Sequence, residues 1–237
     1  LNPRDVTICD ATAQMLAKAE RDGVETAFHR AATMKACPIG ANSACCKHCS
    51  MGPCRLNAND PYGKVGVCGA TIDTIQARNF GRMVASGAAA HTDHGMAMLD
   101  LFRDVVNGHI QDYEVKDPIK LEEVATELGI ETEGRSVKEI ALALYHELER
   151  TYVAVEGEIP FAKRVAEKTL ETWRKHGVVP RGSMREIMEL MHRTHMGVDQ
   201  DYENITRQCS RTALSDGWGG SMVATEISDI LYGTPTP

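Results

Sequence analysis

The sequence predicts a mainly α fold in which helices flank a cysteine-rich loop. Three observations carry that expectation. Aromatic residues make up only 5% of the 237 positions, too few for sheet-rich packing, while the helix-favouring residues Ala, Leu and Met are plentiful. Apolar residues recur at helical spacing on both sides of the segment from Cys37 to Gly69. That segment itself is dense in Gly, Pro and Asn, so turns dominate it.

Taken in order, the stretch from Asp10 to about Lys35 reads as one broken helix or two, with Thr7 or Asp10 as the N-cap. After Cys68, Thr71 to Ala85 forms a helix carrying Ile72, Ile75, Ala77, Phe80 and Met83, and a second runs from Ala88 to Asn107. Lys120 to Leu128 and Ser136 to about Val155 form a helical pair, with Ser136-x-x-Glu139 as a capping box. Further helices are expected over Pro160–Lys175, Ser183–Met196 and Asp201–Ser215, with a short apolar helix ending at Leu231. Three regions follow: N-terminal helices over 1–36, a cluster-binding loop over 37–69, and a helical domain over 70–237.

Charge and hydropathy narrow the function classes. A net charge of −7 without a clustered Lys/Arg excess argues against nucleic acid as a partner, and against reading the helical pair as a DNA-binding motif. No apolar run approaches the roughly 18 to 20 residues that span a bilayer, and the segment from Leu1 to Ala11 is too polar for a signal peptide. The expected compartment is cytoplasmic, where disulfides are rare and a dense cysteine block reads as a metal site.

Six of the eight cysteines fall within 32 residues, as Cys37-x7-Cys45-Cys46-x2-Cys49-x4-Cys54-x13-Cys68. Zinc competes for the Cys46-x2-Cys49 step, yet a structural zinc site favours two close pairs, and Cys54 and Cys68 stand apart. Cys46, Cys49, Cys54 and Cys68 form a natural four-ligand set for an iron–sulfur cubane, with Gly52 and Pro53 shaping the corner and Gly66 and Gly69 flanking Cys68. Cys45, adjacent to Cys46, is expected to face elsewhere. Joined by Cys37 it supplies two thiolates, half of a cubane, and a two-fold axis supplies the other half. A homodimer with a shared cluster follows from that counting.

The motifs Cys37-Pro-Ile-Gly, Cys45-Cys46-Lys-His-Cys49, Met51-Gly-Pro-Cys54-Arg55 and Val67-Cys68-Gly69-Ala, followed by His91, resemble the N-terminal region of anaerobic nickel–iron carbon monoxide dehydrogenase catalytic subunits. The likeness extends through Leu128-Gly-Ile-Glu-Thr-Glu-Gly-Arg-Ser136 and Ser215-Asp-Gly-Trp-Gly-Gly-Ser221. It implies the helical fold of the prismane/carbon monoxide dehydrogenase superfamily, continuing into Rossmann-like domains beyond this chain. It also implies a 4Fe–4S cluster B on Cys46, Cys49, Cys54 and Cys68, and a cluster D shared between subunits on Cys37 and Cys45, where some relatives hold a 2Fe–2S unit.

The family oxidises CO with water to CO2 at a nickel–iron–sulfur cluster C. The resemblance implies that the electrons pass to a ferredoxin-like acceptor, in some members beside an acetyl-CoA synthase subunit. By the resemblance, the ligands of cluster C come from later in the family's chain; they are absent here, where only Cys209 follows Cys68. The chain is therefore expected to be the electron-transfer part of a longer enzyme, inactive alone.

His91 and His94 stand three apart on one helical face after Gly87 to Ala90, small residues that allow close approach of another element. By the resemblance, His91 accepts protons beside cluster C and His94 continues a relay; the family's next positions are Ala97 and Asp100 here. His48 is a candidate hydrogen-bond donor to a cluster sulfide, and Arg55 a candidate counter-charge to the thiolates. Cys9 and Cys209 read as buried thiols, and Met96, Met98, Met184, Met188, Met191 and Met196 as core filler. Competing functions are a hybrid-cluster-type hydroxylamine reductase, a non-catalytic iron–sulfur module and a zinc-bound interaction domain; the pair Cys37 and Cys45 separates them.

Overall fold

A computed structural model describes residues 2–236. The chain divides into two compact units, 1–42 and 43–237. The boundary falls inside the expected loop segment, so Cys37 belongs to the first unit and the other five clustered cysteines to the second.

The first unit holds α1 (Asp10–Arg21), α2 (Ala27–Thr33) and the short α3 (Pro38–Ala41). Cys9, not Thr7 or Asp10, is the N-cap of α1; its N–H is held by the Thr7 hydroxyl, and its side chain is exposed rather than buried. Thr26 caps α2 reciprocally with His29, whose Nε2 lies 2.8 Å from Glu20 of α1. Cys37 is the N-cap residue of α3, with Pro38 at the first helical position where a missing N–H costs nothing.

The second unit opens on a two-stranded antiparallel ribbon, β1 (Cys45–Cys46) against β2 (Cys54–Arg55). After it comes α4 (Ile72–Val106), one continuous helix of 35 residues where the sequence suggests two. At 1.5 Å per residue it runs about 50 Å. Gly87 does not break it, because one exposed glycine costs only about 1 kcal/mol against the packing of a helix this long.

The buried stripe of α4 explains its partners. Ile75, Arg78, Gly81, Ala85, Ala88, Thr92, Gly95, Leu99 and Phe102 are all buried, and from Arg78 onward they recur alternately three and four residues apart. The middle of the stripe is small, so α8 (Ser183–Arg193) and α9 (Tyr202–Ser215) lie close to the α4 backbone. A Cβ on Gly81 would sit 3.1 Å from Leu190 of α8 and 3.4 Å from the Cys209 sulfur of α9. Toward its C-terminus the stripe turns large, and Leu99 and Phe102 join Leu121, Leu144, Leu148 and Ile227 in the main core.

That core is completed by α5 (Pro118–Glu127), α6 (Val137–Val153) and α10 (Ser221–Tyr232). A 3-10 turn (Pro160–Arg164) precedes α7 (Glu167–His176), so the expected helix over Pro160–Lys175 is split at Val165–Ala166. Phe80 and Met83 stand on the outward face of α4, 52% and 66% exposed, and Met184, Met188, Met191 and Met196 are largely exposed too. Only Met96 and Met98 pack against the core as expected. Among the described residues, no helix is long and apolar enough to cross a membrane.

The capping box at Ser136 forms as the spacing predicts. Glu139 accepts from the Ser136 N–H at 2.8 Å, and the Ser136 hydroxyl accepts from the Glu139 N–H at 3.3 Å. Ser136→Ala is expected to cost about 1 kcal/mol, read as a thermal midpoint about 2–4 °C lower. An unchanged midpoint would show that α6 is held by its packing alone.

Candidate iron–sulfur centre

The ribbon brings the first two thiols together. Cys46 pairs with Cys54 across it and Cys45 with Arg55. Because side chains alternate faces along a strand, Cys46 and Cys54 share one face while Cys45 and Arg55 share the other. Arg55 is therefore opposite Cys45, not beside the four-cysteine set.

Cys49 comes from the turn between the strands, which closes tightly: a Cβ on Gly52 would lie 3.0 Å from the Cys46 carbonyl oxygen and 3.3 Å from the Cys54 nitrogen. Cys68 arrives from the far end of the loop just ahead of α4. There Gly69 adopts φ +86°, a left-handed conformation that glycine enters without strain, and its N–H returns to the Gly66 carbonyl at 2.9 Å. Gly66 passes within van der Waals reach of the Cys54 sulfur, with space for a Cβ at 3.7 Å.

Cys46, Cys49, Cys54 and Cys68 line one small hollow, partly open to solvent, together with His48, Ile75, Arg78 and Met196. Among the described residues no three Cys, His, Asp or Glu groups meet where a single ion could sit, so the four thiols ring a space instead of converging on a point. Cys45 is not among the lining residues, and Cys37 lies in the first unit.

Two sulfurs already accept hydrogen bonds, from the Val67 N–H to Cys54 and from Arg78 Nη1 to Cys68, each at 3.5 Å. Burial pushes the Cys68 thiol up, but hydrogen bonds from Arg78, the Ala70 N–H and Gln200, with the charge of Arg78, outweigh it and bring Cys68 down to about 7. That favours the thiolate, the form that binds metal.

The surrounding supports come from distant parts of the chain. Asn79 of α4 donates to the carbonyls of Ser43 and Cys45 at 3.0 and 3.2 Å and accepts from, or is paired with, His48 Nε2 at 2.9 Å. Burial and the positive charge of Arg82 hold the His48 imidazole below its usual range. From the loop between α8 and α9, Gln200 donates to the Cys68 carbonyl at 2.9 Å, and the Asp199 carbonyl accepts from Arg78 Nη2 at 2.8 Å. Sequence reasoning missed Arg78, Asn79 and Gln200. The signal for Arg78 was present, since it is a charged residue on the buried stripe of α4.

The histidines lie elsewhere. His91 is thirteen residues along α4 from Arg78, about 20 Å away along the helix axis, and 58% of its side chain is exposed. Its Nδ1 lies 2.8 Å from Asp216 Oδ1. Asp216 opens a π turn, Asp216–Gly220, which approaches α4 so closely that a Cβ on Gly220 would be 3.0 Å from the His91 carbonyl oxygen. The close approach expected at Gly87–Ala90 thus falls partly at Gly95 and Gly220, while Gly87 faces open space. His94 is exposed on the same helix.

A helical body built on one long helix, with a four-cysteine hollow at its start, places the chain in a class, and residues 44–237 match the Prismane/CO dehydrogenase family; the chain belongs to that family. Over 98% of its length it is 46% identical to carbon monoxide dehydrogenase 1 of Methanosarcina mazei, covering 37% of that relative. It is 41% identical to the carbon monoxide dehydrogenase/acetyl-CoA synthase subunit beta of Moorella thermoacetica, covering 99% of this chain and 35% of that one. The whole chain superposes on 38% of a nickel-free crystal structure of carbon monoxide dehydrogenase from Thermococcus sp. AM4, with a TM-score of 0.87 and 42% identity. The chain thus spans about a third of the length of these relatives.

Proposed function

We propose that these residues form the electron-transfer end of a cytoplasmic carbon monoxide dehydrogenase, which oxidises CO with water to CO2, two protons and two electrons. The observation that carries this reading is the hollow ringed by Cys46, Cys49, Cys54 and Cys68. Its donor set suits a 4Fe–4S cluster: four thiols around a space, two of them hydrogen-bonded, with a buried polar atom, Arg78 Nε, left without a partner beside them. When bound, such a cluster supplies one-electron transfer.

The residues divide the remaining work. Cys46, Cys49, Cys54 and Cys68 hold the metal, Asn79 and Gln200 fix the segments that carry them, and Val67 and Arg78 direct N–H groups at the sulfurs. Cys45, on the other strand face, joins Cys37 and the same pair from a second copy in holding a shared cluster. His91, oriented by Asp216, is the residue that would accept protons beside a nickel–iron–sulfur site of the full-length enzyme, with His94 following it on the helix. The electron acceptor on this reading is ferredoxin-like, and a neighbouring acetyl-CoA synthase subunit is a partner of the same assembly.

Anaerobic iron and sulfide counts test the assignment. Cys54→Ala is expected to remove one cubane per chain, whereas Cys37→Ala or Cys45→Ala removes one per two chains. Bound zinc in the unaltered protein, or loss of one cubane per chain in the Cys37 variant, would overturn it.

A further inference from the structure

Arg78 is the largest fully buried side chain of the molecule, with 1% of its surface exposed. A guanidinium in that position is expected to have a carboxylate partner, because an uncompensated buried charge is strongly unfavourable. Among the described residues it has none. Its Nη2 donates to the Asp199 backbone carbonyl at 2.8 Å and, at 3.5 Å, to the Gln200 amide oxygen. The nearby Asp199 carboxylate is taken instead by Arg193 at 2.8 Å. Nη1 reaches the Cys68 sulfur, and Nε has no partner at all. One cation thus lies at the wall of the cysteine hollow with neutral oxygens behind it and sulfur in front.

Two partly buried arginines in separate networks show the pairing that arginine makes elsewhere in this fold. Arg181 is matched by two carboxylates, Glu186 and Glu189, and Arg164 by Glu127 and Glu226. Arg78 departs from that pattern at the one place where an anionic metal site would lie. Its charge is offset by an anionic cluster on the four thiolates, and its attraction to that site grows when one electron is added.

Resting on the cluster assignment above, we infer that Arg78 is a positioning residue that sets the reduction potential of the cluster held by Cys46, Cys49, Cys54 and Cys68. Reduction adds one negative charge to a site already carrying four thiolates, and no proton need accompany it because Arg78 is cationic throughout. From its buried position in the wall of the hollow, beside Ile75, the guanidinium stabilises the reduced form more than the oxidised one. Its N–H donation to Cys68 acts in the same direction.

The test is a mediator-buffered redox titration of the anaerobically isolated holoprotein, followed by electron paramagnetic resonance, on the unaltered protein, Arg78→Gln and Arg78→Lys. Glutamine keeps an uncharged N–H donor on a shorter stem; lysine keeps the charge and removes the fork. Arg78→Gln is expected to retain its iron and to titrate lower, its reduced-to-oxidised ratio at a given potential falling about tenfold, which for one electron is 59 mV. Arg78→Lys is expected to titrate close to the unaltered protein. An unshifted midpoint in a fully loaded Arg78→Gln overturns the inference. Loss of iron from Arg78→Gln also overturns it, leaving Arg78 a strut for the Asp199–Gln200 loop. Failure of the underlying assignment looks different: the unaltered protein then shows no cubane to titrate.

Discussion

Replacing Glu186 with alanine is expected to lower stability by about 3–5 kcal/mol, which for a unit of this size is a fall of about 10 °C in Tm. The carboxylate is wholly buried between α8 and α9. It accepts from Arg181 Nε and Nη2 at 2.8 and 3.0 Å, from the Arg181 N–H at 2.9 Å and from the Gln208 amide at 2.7 Å, with Arg211 3.3 Å away. Removing it strands two guanidinium groups and an amide that no other carboxylate can fully serve. Arg174 and Glu158 form a fork of similar geometry, at 2.8 Å on both arms, but on an exposed surface. Glu158→Ala is therefore expected to cost under about 1 kcal/mol, and equal losses in the two variants would refute the burial argument.

The same network makes the fold acid-sensitive in a defined window. Burial pushes Glu189 up, but Arg181 and Arg193 outweigh it and hold the carboxyl at about 2, down from 4.5. A depressed carboxyl contributes its stability fully above its unfolded value and loses it as pH falls through the folded one. Up to about 3 kcal/mol is thus at stake between roughly pH 5 and pH 2.

Two glycines of α4, eight residues apart, are expected to respond to alanine with opposite sign. A Cβ on Gly95 would lie 2.7 Å from the Gly220 carbonyl oxygen and closer still to the Tyr152 hydroxyl, so α4 and the π turn must separate. The expected cost is about 3 kcal/mol, with His91 and Asp216 pulled out of register. Gly87 meets nothing within 4 Å, and Gly87→Ala is expected to gain about 0.5–1 kcal/mol from helix propensity. Thermal unfolding of both variants decides it: a stable Gly95→Ala would mean that the π turn yields easily.

The contrast between those glycines shows what the sequence could and could not disclose. The small stretch at Gly87–Ala90 suggested a close approach, but only Ala88 of its neighbours turns inward, because the buried stripe steps alternately by three and four residues. The actual contact needed Gly220 from 125 residues on, which no local pattern announces. Cysteine spacing identified the four thiols that ring the hollow, since ligand geometry constrains short sequence steps directly. Arg78, Asn79 and Gln200 act through contacts up to 132 residues distant and carry no spacing signature. Phe80 and Met83 contribute to the apolar pattern that marks this helix, but a helix touched on one side leaves some apolar positions outward.

The unbroken course of α4 makes the cysteine hollow and the His91–Asp216 pair two readings of one angular phase. Deleting a single residue between them would leave every local contact at either end chemically possible. It would nevertheless turn one end about 100° against the other and shorten the rod by 1.5 Å. Sequence change within this span is thus confined to substitution, and the interval from Arg78 to His91 behaves as a gauge whose length and phase are fixed by the two chemistries at its ends.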